Sequence, residues 1–346
     1  MTPTEREDQR MSDTTLSFPD ASRFAIGFDR RDRARIYTMW QEIFDSNRWS
    51  EGAFTAQFEE LWGKWNEAPS LAFSSWGGAA LAALEYVDVR GQVVLCPSNT
   101  FMATPFAAMK AGARVEFVDC RRDDLCMSFD DFVTKAELHK PKAAWLVHIG
   151  GHIAFDVEKI ADYCRNNGIT LLEDCAHAHG ASWNGKKPGT WGIAGVYSFY
   201  ATKTVSTGEG GMLVSSDADL IEFGKNYRNY GKFEYEVEGL NYRMSEFTAA
   251  LGVAQAERLQ EIVDWKNEYA RNVLDPVHPG RLQLPDGMVS GFYKYVVFDP
   301  VEKSTGKVYD EACHRILKRD GDFPNTDWVA ENHWCVPIYY HGGNEE

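Results

Sequence analysis

The chain has 346 residues, of which 44% are hydrophobic, enough for a large core and for two domains or for one domain with an appendage. Its 36 Lys and Arg against 51 Asp and Glu give a net charge of −15, which argues against a nucleic-acid partner. We find no signal peptide and no apolar run of the ~18 residues that a membrane span needs, and seven scattered cysteines without a CxxC pair indicate a cytoplasmic protein.

The first part of the chain is predicted to be a tail followed by helices. Residues 1–24 are rich in Thr, Ser, Asp, Glu and Arg, and we expect them to be disordered. Apolar residues at helical spacing predict helices over residues 32–44 and 53–65. We expect the aromatic side chains of these helices to lie in the core.

From residue 71 onward, strands and helices alternate. Strands are predicted at 71–73, 92–96, 114–118, 143–149 and 169–172, with helices at 79–86, 103–110 and 157–166. This alternation, with glycines at helix ends, is typical of βαβ units and a mostly parallel sheet. Ligands bind such sheets beyond the carboxyl ends of the strands, where this chain has polar loops.

One lysine is singled out by its surroundings. Lys203 lies in a predicted loop between two apolar strands, beside the turn TGEGG at 207–211. A lysine near buried strands can be partly desolvated, which lowers its pKa and makes the free amine a nucleophile. A lysine in such a place is more often an ordinary surface residue, so other features must decide.

Asp174 and Gly77-Gly78 supply those features. Asp174 ends an apolar strand, where a buried carboxylate needs a cation or hydrogen bonds. Pyridoxal phosphate would use both groups, because its aldehyde forms a Schiff base with a lysine and a carboxylate keeps its ring nitrogen protonated. Gly77 and Gly78 precede a predicted helix, whose amides suit a phosphate. Asp174 alone fits a cap or turn, and the two glycines alone fit a plain turn.

The rest of the chain predicts a second, smaller unit. After a helix at 219–227, Ser245 is expected to cap one long helix that continues to Ile262. A strand at 293–298, a helix at 309–318 and an apolar segment at 334–340 follow. We therefore expect a large cofactor-binding domain over 25–265 and a small C-terminal α+β domain over 266–346.

Several motifs give the chain a family resemblance. From about residue 49 to residue 265 it resembles the DegT/DnrJ/EryC1/StrS family of pyridoxal-phosphate sugar aminotransferases. The matching motifs are PSNTF at 97–101, EDCAHAHG at 173–180, SFYATK at 198–203, TGEGG at 207–211 and GLNYRMSE at 239–246. Their order and spacing make the match specific.

The resemblance implies an α/β fold-type I transferase, with a mixed, mostly parallel sheet, that works as a homodimer with shared active sites. It implies that Lys203 holds pyridoxal 5'-phosphate and shuttles protons, and that Asp174 pairs with the pyridine nitrogen. The further implied roles are Phe101 stacked on one ring face, His177 near the other, Ser198 on the phosphate, Asn241 on the phosphate of the other subunit's cofactor, and His148 toward the substrate.

Alternatives remain open for some of these residues. Phe101 and His177 could instead be structural residues, and so could His179. No third ligand cluster accompanies the two histidines, so no metal site is expected. Arg228 and Arg243 either form surface ion pairs or bind a substrate carboxylate or phosphate.

The chain departs from the family pattern at Gly78, where a Thr or Ser usually contacts the phosphate; Ser75 could replace it, or Trp76 could reshape the loop. The C-terminal part is also short, so we expect a reduced small domain. The favoured function is amino transfer from an amino acid, glutamate by preference, to a nucleotide-linked keto sugar. The alternatives are a free keto-cyclitol or keto sugar, a sugar dehydratase, against which Lys203 argues because such relatives carry histidine there, and a non-catalytic regulatory relative.

Overall fold

The computed structural model describes residues 28–232 and 234–340, so the tail predicted over residues 1–24 lies outside the described residues. Two helices come first, α1 (Arg30–Ser46) and α2 (Ala53–Asn66), close to their predicted bounds. Asp29 caps α1 by accepting backbone N–H groups of the first turn. The predicted core position is confirmed for Phe58 and Trp62 of α2, which are fully buried, and is wrong for Phe44 of α1, which is 51% exposed.

A seven-stranded sheet forms the centre of the molecule. Its strands are β1 (Ser70–Phe73), β2 (Val93–Pro97), β3 (Arg114–Val118), β4 (Ala143–Val147), β5 (Thr170–Asp174), β7 (Ala194–Ser198) and β8 (Gly211–Val214). They lie in the order β1-β8-β7-β5-β4-β2-β3, and β8 runs antiparallel to both of its neighbours while the other pairs are parallel. The predicted mixed, mostly parallel sheet is confirmed.

Helices cover both faces of this sheet. They are α3 (Trp76–Val87), α4 (Ala103–Lys110), α5 (Phe129–His139), α6 (Val157–Asn167) and α7 (Ala218–Tyr227). Successive strand residues alternate between two buried apolar clusters, as Leu95 does with Val94 and Cys96. Both faces are therefore buried, which explains why the strands read as continuous apolar runs. The sequence analysis missed α5, and it began α3 three residues too late.

The prediction of one long helix after Ser245 is wrong, because the structure has two helices there, α8 (Glu246–Ala256) and α9 (Leu259–Tyr269). Ser245 caps α8 as predicted, accepting the N–H of Thr248. The break falls at Arg258, whose guanidinium contacts Asp32 of α1 and the hydroxyl of Tyr340. Neither glycine nor proline lies at this break, so no local signal in the sequence marks it.

The C-terminal part contains short elements. They are β9 (Met288–Val289), which pairs with β6 (Ser182–Trp183), β10 (Tyr295–Val297), α10 (Cys313–Ile316), α11 (Pro324–Glu331) and β11 (Trp334–Val336), which pairs with β10. The helix predicted over 309–318 is wrong except for α10. The chain before α10 is extended at Ala312, and the N–H of Cys313 donates to the carbonyl of Ser98.

A separate buried cluster supports a small domain. Its buried members all fall between residues 270 and 338, and they include Leu274, Tyr295 and Val336. We propose that this cluster is the core of the C-terminal domain predicted from residue 266. In the described part of the chain, every helix is too short or too polar to traverse a bilayer.

Candidate active site

A cavity of about 720 Å³ opens at the carboxyl edge of the sheet. It lies where the loops after β1, β2, β5 and β7 meet, the position expected for a ligand of a parallel sheet. Among its lining residues are eight predicted or discussed as site residues: Ser75, Trp76, Gly77, Phe101, Asp174, His177, Ser198 and Lys203. The structure thus brings together residues that are up to 128 positions apart in sequence (203 − 75).

Lys203 lies in the loop after β7. Its side chain is partly exposed to the cavity, and its ammonium group lies 4.6 Å from the ring centroid of Tyr293. The pKa of Lys203 is lowered to about 8, mainly by burial and also by the charge of Lys294, while the carboxylate of Asp174 opposes the change. About a tenth of the amine is therefore unprotonated at pH 7, which makes it available as a nucleophile.

Asp174 ends β5 and is buried. Its Oδ2 accepts a hydrogen bond from the Thr104 hydroxyl at 2.7 Å, and its Oδ1 accepts from the Trp76 indole N–H at 3.1 Å and the Ala176 N–H at 3.0 Å. Burial raises the pKa of Asp174, while these donors and Lys203 oppose that rise. The three donors and the charge of Lys203 favour the ionised form of this carboxylate, which lines the cavity. The hydrogen bonds that Thr104 and Trp76 donate to Asp174 were not predicted from the sequence.

The N-terminus of α3 forms another wall. Ser75 is the N-cap and its hydroxyl accepts the N–H of Gly78 at 3.1 Å, so Gly77 and Gly78 belong to the first helical turn instead of preceding it. First-turn amides have no partner within their helix, which suits an anion. A Cβ on Gly78 would lie 2.8 Å from Cδ1 of Tyr242. The ring of Tyr242 therefore accounts for glycine where the family pattern has a hydroxyl.

Aromatic side chains enclose the remaining wall. The His177 ring lies 4.2 Å from Tyr293 and 5.8 Å from Tyr309, measured between ring centroids. Burial and then the charge of Lys203 hold the pKa of His177 well below its usual range, so this ring is neutral. Phe101 is 66% exposed, which contradicts a role in the core. Tyr293 and Tyr309 come from the C-terminal part, and no local signal in the sequence marks them.

Two of the predicted or discussed polar residues, His148 and Arg228, lie elsewhere. His148 is fully buried, with Nε2 2.9 Å from Glu173 and Nδ1 accepting the N–H of Ala154 at 3.1 Å. Both ring nitrogens are used, and His148 does not line the cavity, so the structure does not bring it to a substrate there. Arg228 donates to Glu59 at 2.6 Å, which is the ion-pair alternative.

Asn241 and Arg243 also lie away from this cavity. Asn241 is exposed, and its Oδ1 accepts the N–H of Arg243 at 3.4 Å. Arg243 donates to Asn229 and lines a separate surface depression with Tyr230 and Tyr235. Within a single chain, neither residue reaches the cavity that contains Lys203.

Among the described residues, the buried groups that could hold a metal ion do not include His177 or His179. His179 is enclosed by aromatic rings, and both of its ring nitrogens lack a partner among the described residues. The metal-capable groups that the described residues contain are Asp124 with Cys126 and His152, and His148 with Glu173 and Cys175. The carboxylates of Asp124 and Glu173 already accept several backbone N–H groups.

Comparison with known proteins gives relatives that share most of the chain. It is 33% identical over 299 residues to the GDP-perosamine synthase of Vibrio cholerae, covering 84% of this chain and 80% of that protein. It is 32% identical over 307 residues to the dTDP-4-dehydro-2,3,6-trideoxy-D-glucose 4-aminotransferase of Saccharopolyspora spinosa, covering 80% and 77%.

Solved structures and a family model agree with these relatives. The aminotransferase TlmJ from Streptoalloteichus hindustanus superposes with a TM-score of 0.82 at 26% identity, covering 92% of this chain and 93% of that one. An aminotransferase from Brucella abortus shares the fold, with a TM-score of 0.82 at 21% identity over 89% and 91%. The family model matches residues 30–276, well over half of the sequence, and the chain belongs to the DegT/DnrJ/EryC1/StrS aminotransferase family.

Proposed function

We propose that this aminotransferase uses pyridoxal 5'-phosphate to move an amino group from an acidic amino acid to the keto group of a nucleotide-linked sugar. One observation carries the proposal: Lys203 and Asp174 line one cavity at the carboxyl edge of the sheet. The names of the relatives, a GDP-perosamine synthase and a dTDP-sugar aminotransferase, support the substrate class. The seven cysteines are buried and unpaired, which fits the proposed cytoplasmic location.

The residues around the cavity fit this cofactor. Lys203 would hold its aldehyde, Asp174 its ring nitrogen, and the first turn of α3 with Ser198 its phosphate. Asp174 is buried with a hydrogen-bonded carboxylate, and Ser75 already caps α3, so the amides before Gly78 are available. When bound, pyridoxal phosphate supplies an electron sink for the carbon that gains or loses the amino group.

Lys203 and Asp174 would have different roles in proton transfer. The amine of Lys203, with its lowered pKa, is suited to accept and return a proton at the reacting carbon. Asp174 would keep the ring nitrogen of the cofactor protonated, and the three hydrogen-bond donors to its carboxylate favour the ionised form that this role requires. Tyr293 and Tyr309 pack around His177 and exclude water from that side.

We also propose a homodimer with shared sites. Apolar side chains at and beside the mouth of the cavity are exposed in one chain: Phe101 by 66%, Phe106 by 49% and Met109 by 38%. A large exposed apolar patch is typical of an interface. Asn241 is exposed and does not line the cavity of its own chain, which suits a residue that reaches the partner's cofactor.

The test combines trapping with a screen of acceptors. Borohydride should fix pyridoxal phosphate to Lys203 in the wild type, and Lys203→Ala should lose both the fixed cofactor and amino transfer. Lys142→Ala, at an exposed lysine, is the matched control and should keep both. Amino transfer should favour GDP- or dTDP-linked keto sugars over free keto sugars and cyclitol ketones. A wild type that never retains added cofactor, or that aminates only free acceptors, would contradict the proposal.

A further inference from the structure

A second cavity lies beside the first. It has a volume of about 590 Å³ and shares Thr202, Lys203 and Tyr293 with the first cavity, whereas Asp174 lines the first alone. Lys203 therefore lies between the two cavities. The second cavity is the more polar of the two, and four of the residues that line it are lysines: Lys203, Lys266, Lys294 and Lys307.

Lys266 is the most buried of these lysines. It lies in α9, is 6% exposed, and its ammonium donates to the carbonyl of Phe292 at 2.9 Å. None of the ion pairs within residues 28–232 and 234–340 involves it. Burial, and then the charge of Lys294, lower the pKa of Lys266 to about 7. An ammonium buried without a carboxylate is costly, so a site that keeps one is suited to an incoming anion.

Lys294 and Lys307 add positive charge to the same cavity. The ammonium of Lys294 lies 5.2 Å from the centroid of the Tyr293 ring that Lys203 also contacts. Lys307 donates to the carbonyls of Glu331 and His333 at 2.8 and 2.7 Å. No described carboxylate forms an ion pair with either lysine, and Asp310 is the single acidic residue among the lining residues. Lysines clustered in this way repel one another, and a bound anion would relieve that repulsion.

We propose that this cavity is an anion subsite, and that it takes the side-chain carboxylate of an acidic amino donor whose amine lies at Lys203. The proposal rests on the transaminase function proposed above, and it names Lys266 and Lys294 as the residues that select the donor. A phosphate is also an anion, but phosphate sites typically use helix N-terminal amides. The second cavity is lined by loops and by the middle of α9, while the first cavity has the helix N-terminus.

The subsite has a consequence for donor choice. Replacing the side-chain carboxylate of glutamate by the amide of glutamine removes one charge from the ligand and leaves the lysines without a full counter-charge. Charge-assisted hydrogen bonds are roughly twice as strong as neutral ones. The protein should therefore distinguish glutamate from glutamine through Lys266 and Lys294.

The experiment measures binding without amino transfer. Glutarate, a dicarboxylate with no amino group, is titrated into the full-length protein by calorimetry, and its monoamide and inorganic phosphate are titrated in parallel. We expect saturable glutarate binding that is at least about tenfold tighter than binding of either comparison ligand. Lys266→Met and Lys294→Met should each weaken it by about tenfold or more, and Lys142→Met should leave it unchanged.

Each result decides the assignment. Absence of glutarate binding, or binding that both cavity variants leave unchanged, overturns the subsite. Phosphate that binds more tightly than glutarate overturns the assignment to a donor carboxylate. If Lys266→Met fails to fold, Lys294→Met alone decides, since Lys294 is half-buried. Failure of the transaminase function would appear in the trapping experiment and would leave glutarate binding intact.

Discussion

At the scale of single residues, the environment of Lys203 determines when its amine is free. With its pKa lowered to about 8, the unprotonated fraction rises as pH passes through that value. We predict that acetylation of Lys203 in cofactor-free protein, followed by mass spectrometry, is half-maximal near pH 8. A midpoint near the ordinary lysine value of ~10.4 would contradict the proposed desolvation.

The charged neighbours of Lys203 provide two matched controls. Lys294 lowers the pKa of Lys203 and Asp174 raises it. Lys294→Met should therefore move the midpoint of acetylation to higher pH, and Asp174→Asn should move it to lower pH. Shifts in the same direction for both variants would indicate a general loosening of the site instead of the removal of single charges.

At the scale of elements, the first turn of α3 is matched to the ring of Tyr242. A Cβ on Gly78 would lie 2.8 Å from Cδ1 and 2.9 Å from Cγ of that ring, so the whole side chain would have to move. We predict that Gly78→Thr lowers the stability of the protein by about 1–3 kcal/mol and weakens cofactor retention. Urea unfolding of the cofactor-free protein and absorbance of bound cofactor after gel filtration measure the two effects.

Gly77 gives the control for this prediction. A Cβ there would meet only the Ser75 hydroxyl, at 3.8 Å, which is ordinary contact. Gly77→Ala should be neutral or stabilising by up to about 1 kcal/mol in unfolding, because alanine favours a helix more than glycine does. Adding Tyr242→Ala to Gly78→Thr should recover part of the loss, and strictly additive losses would rule out the steric match.

Part of the fold and part of the site could be predicted from the sequence. Local patterns identified the alternating strands and helices, the position of Lys203 beside a glycine-rich turn, and Asp174 at a strand end, because these depend on periodicity and turn chemistry. The break at Arg258 and the contacts of Tyr293 and Lys294 depend on side chains that meet only after folding. No local pattern in the sequence marks such long-range contacts. The burial of His148, with partners for both of its ring nitrogens, also has no local signal.

At the scale of the whole molecule, a shared site predicts that two defective chains can complement each other. Asn241 is exposed and lies outside the Lys203 cavity of its own chain, so a direct role requires a partner subunit. Asn241→Asp keeps the shape of the side chain and adds a negative charge that would repel a phosphate. We predict that this variant retains cofactor poorly and transfers amino groups slowly.

Mixing this variant with Lys203→Ala tests the sharing directly. In a mixed dimer, one site combines the intact Lys203 of the first chain with the intact Asn241 of the second, and the other site has neither. Random pairing of equal amounts makes half of the dimers mixed, so co-refolded or co-expressed protein should recover about one quarter of wild-type activity. Each variant alone should stay inactive or nearly so. A mixture no more active than the average of the two variants would mean that Asn241 acts within its own chain or not at all.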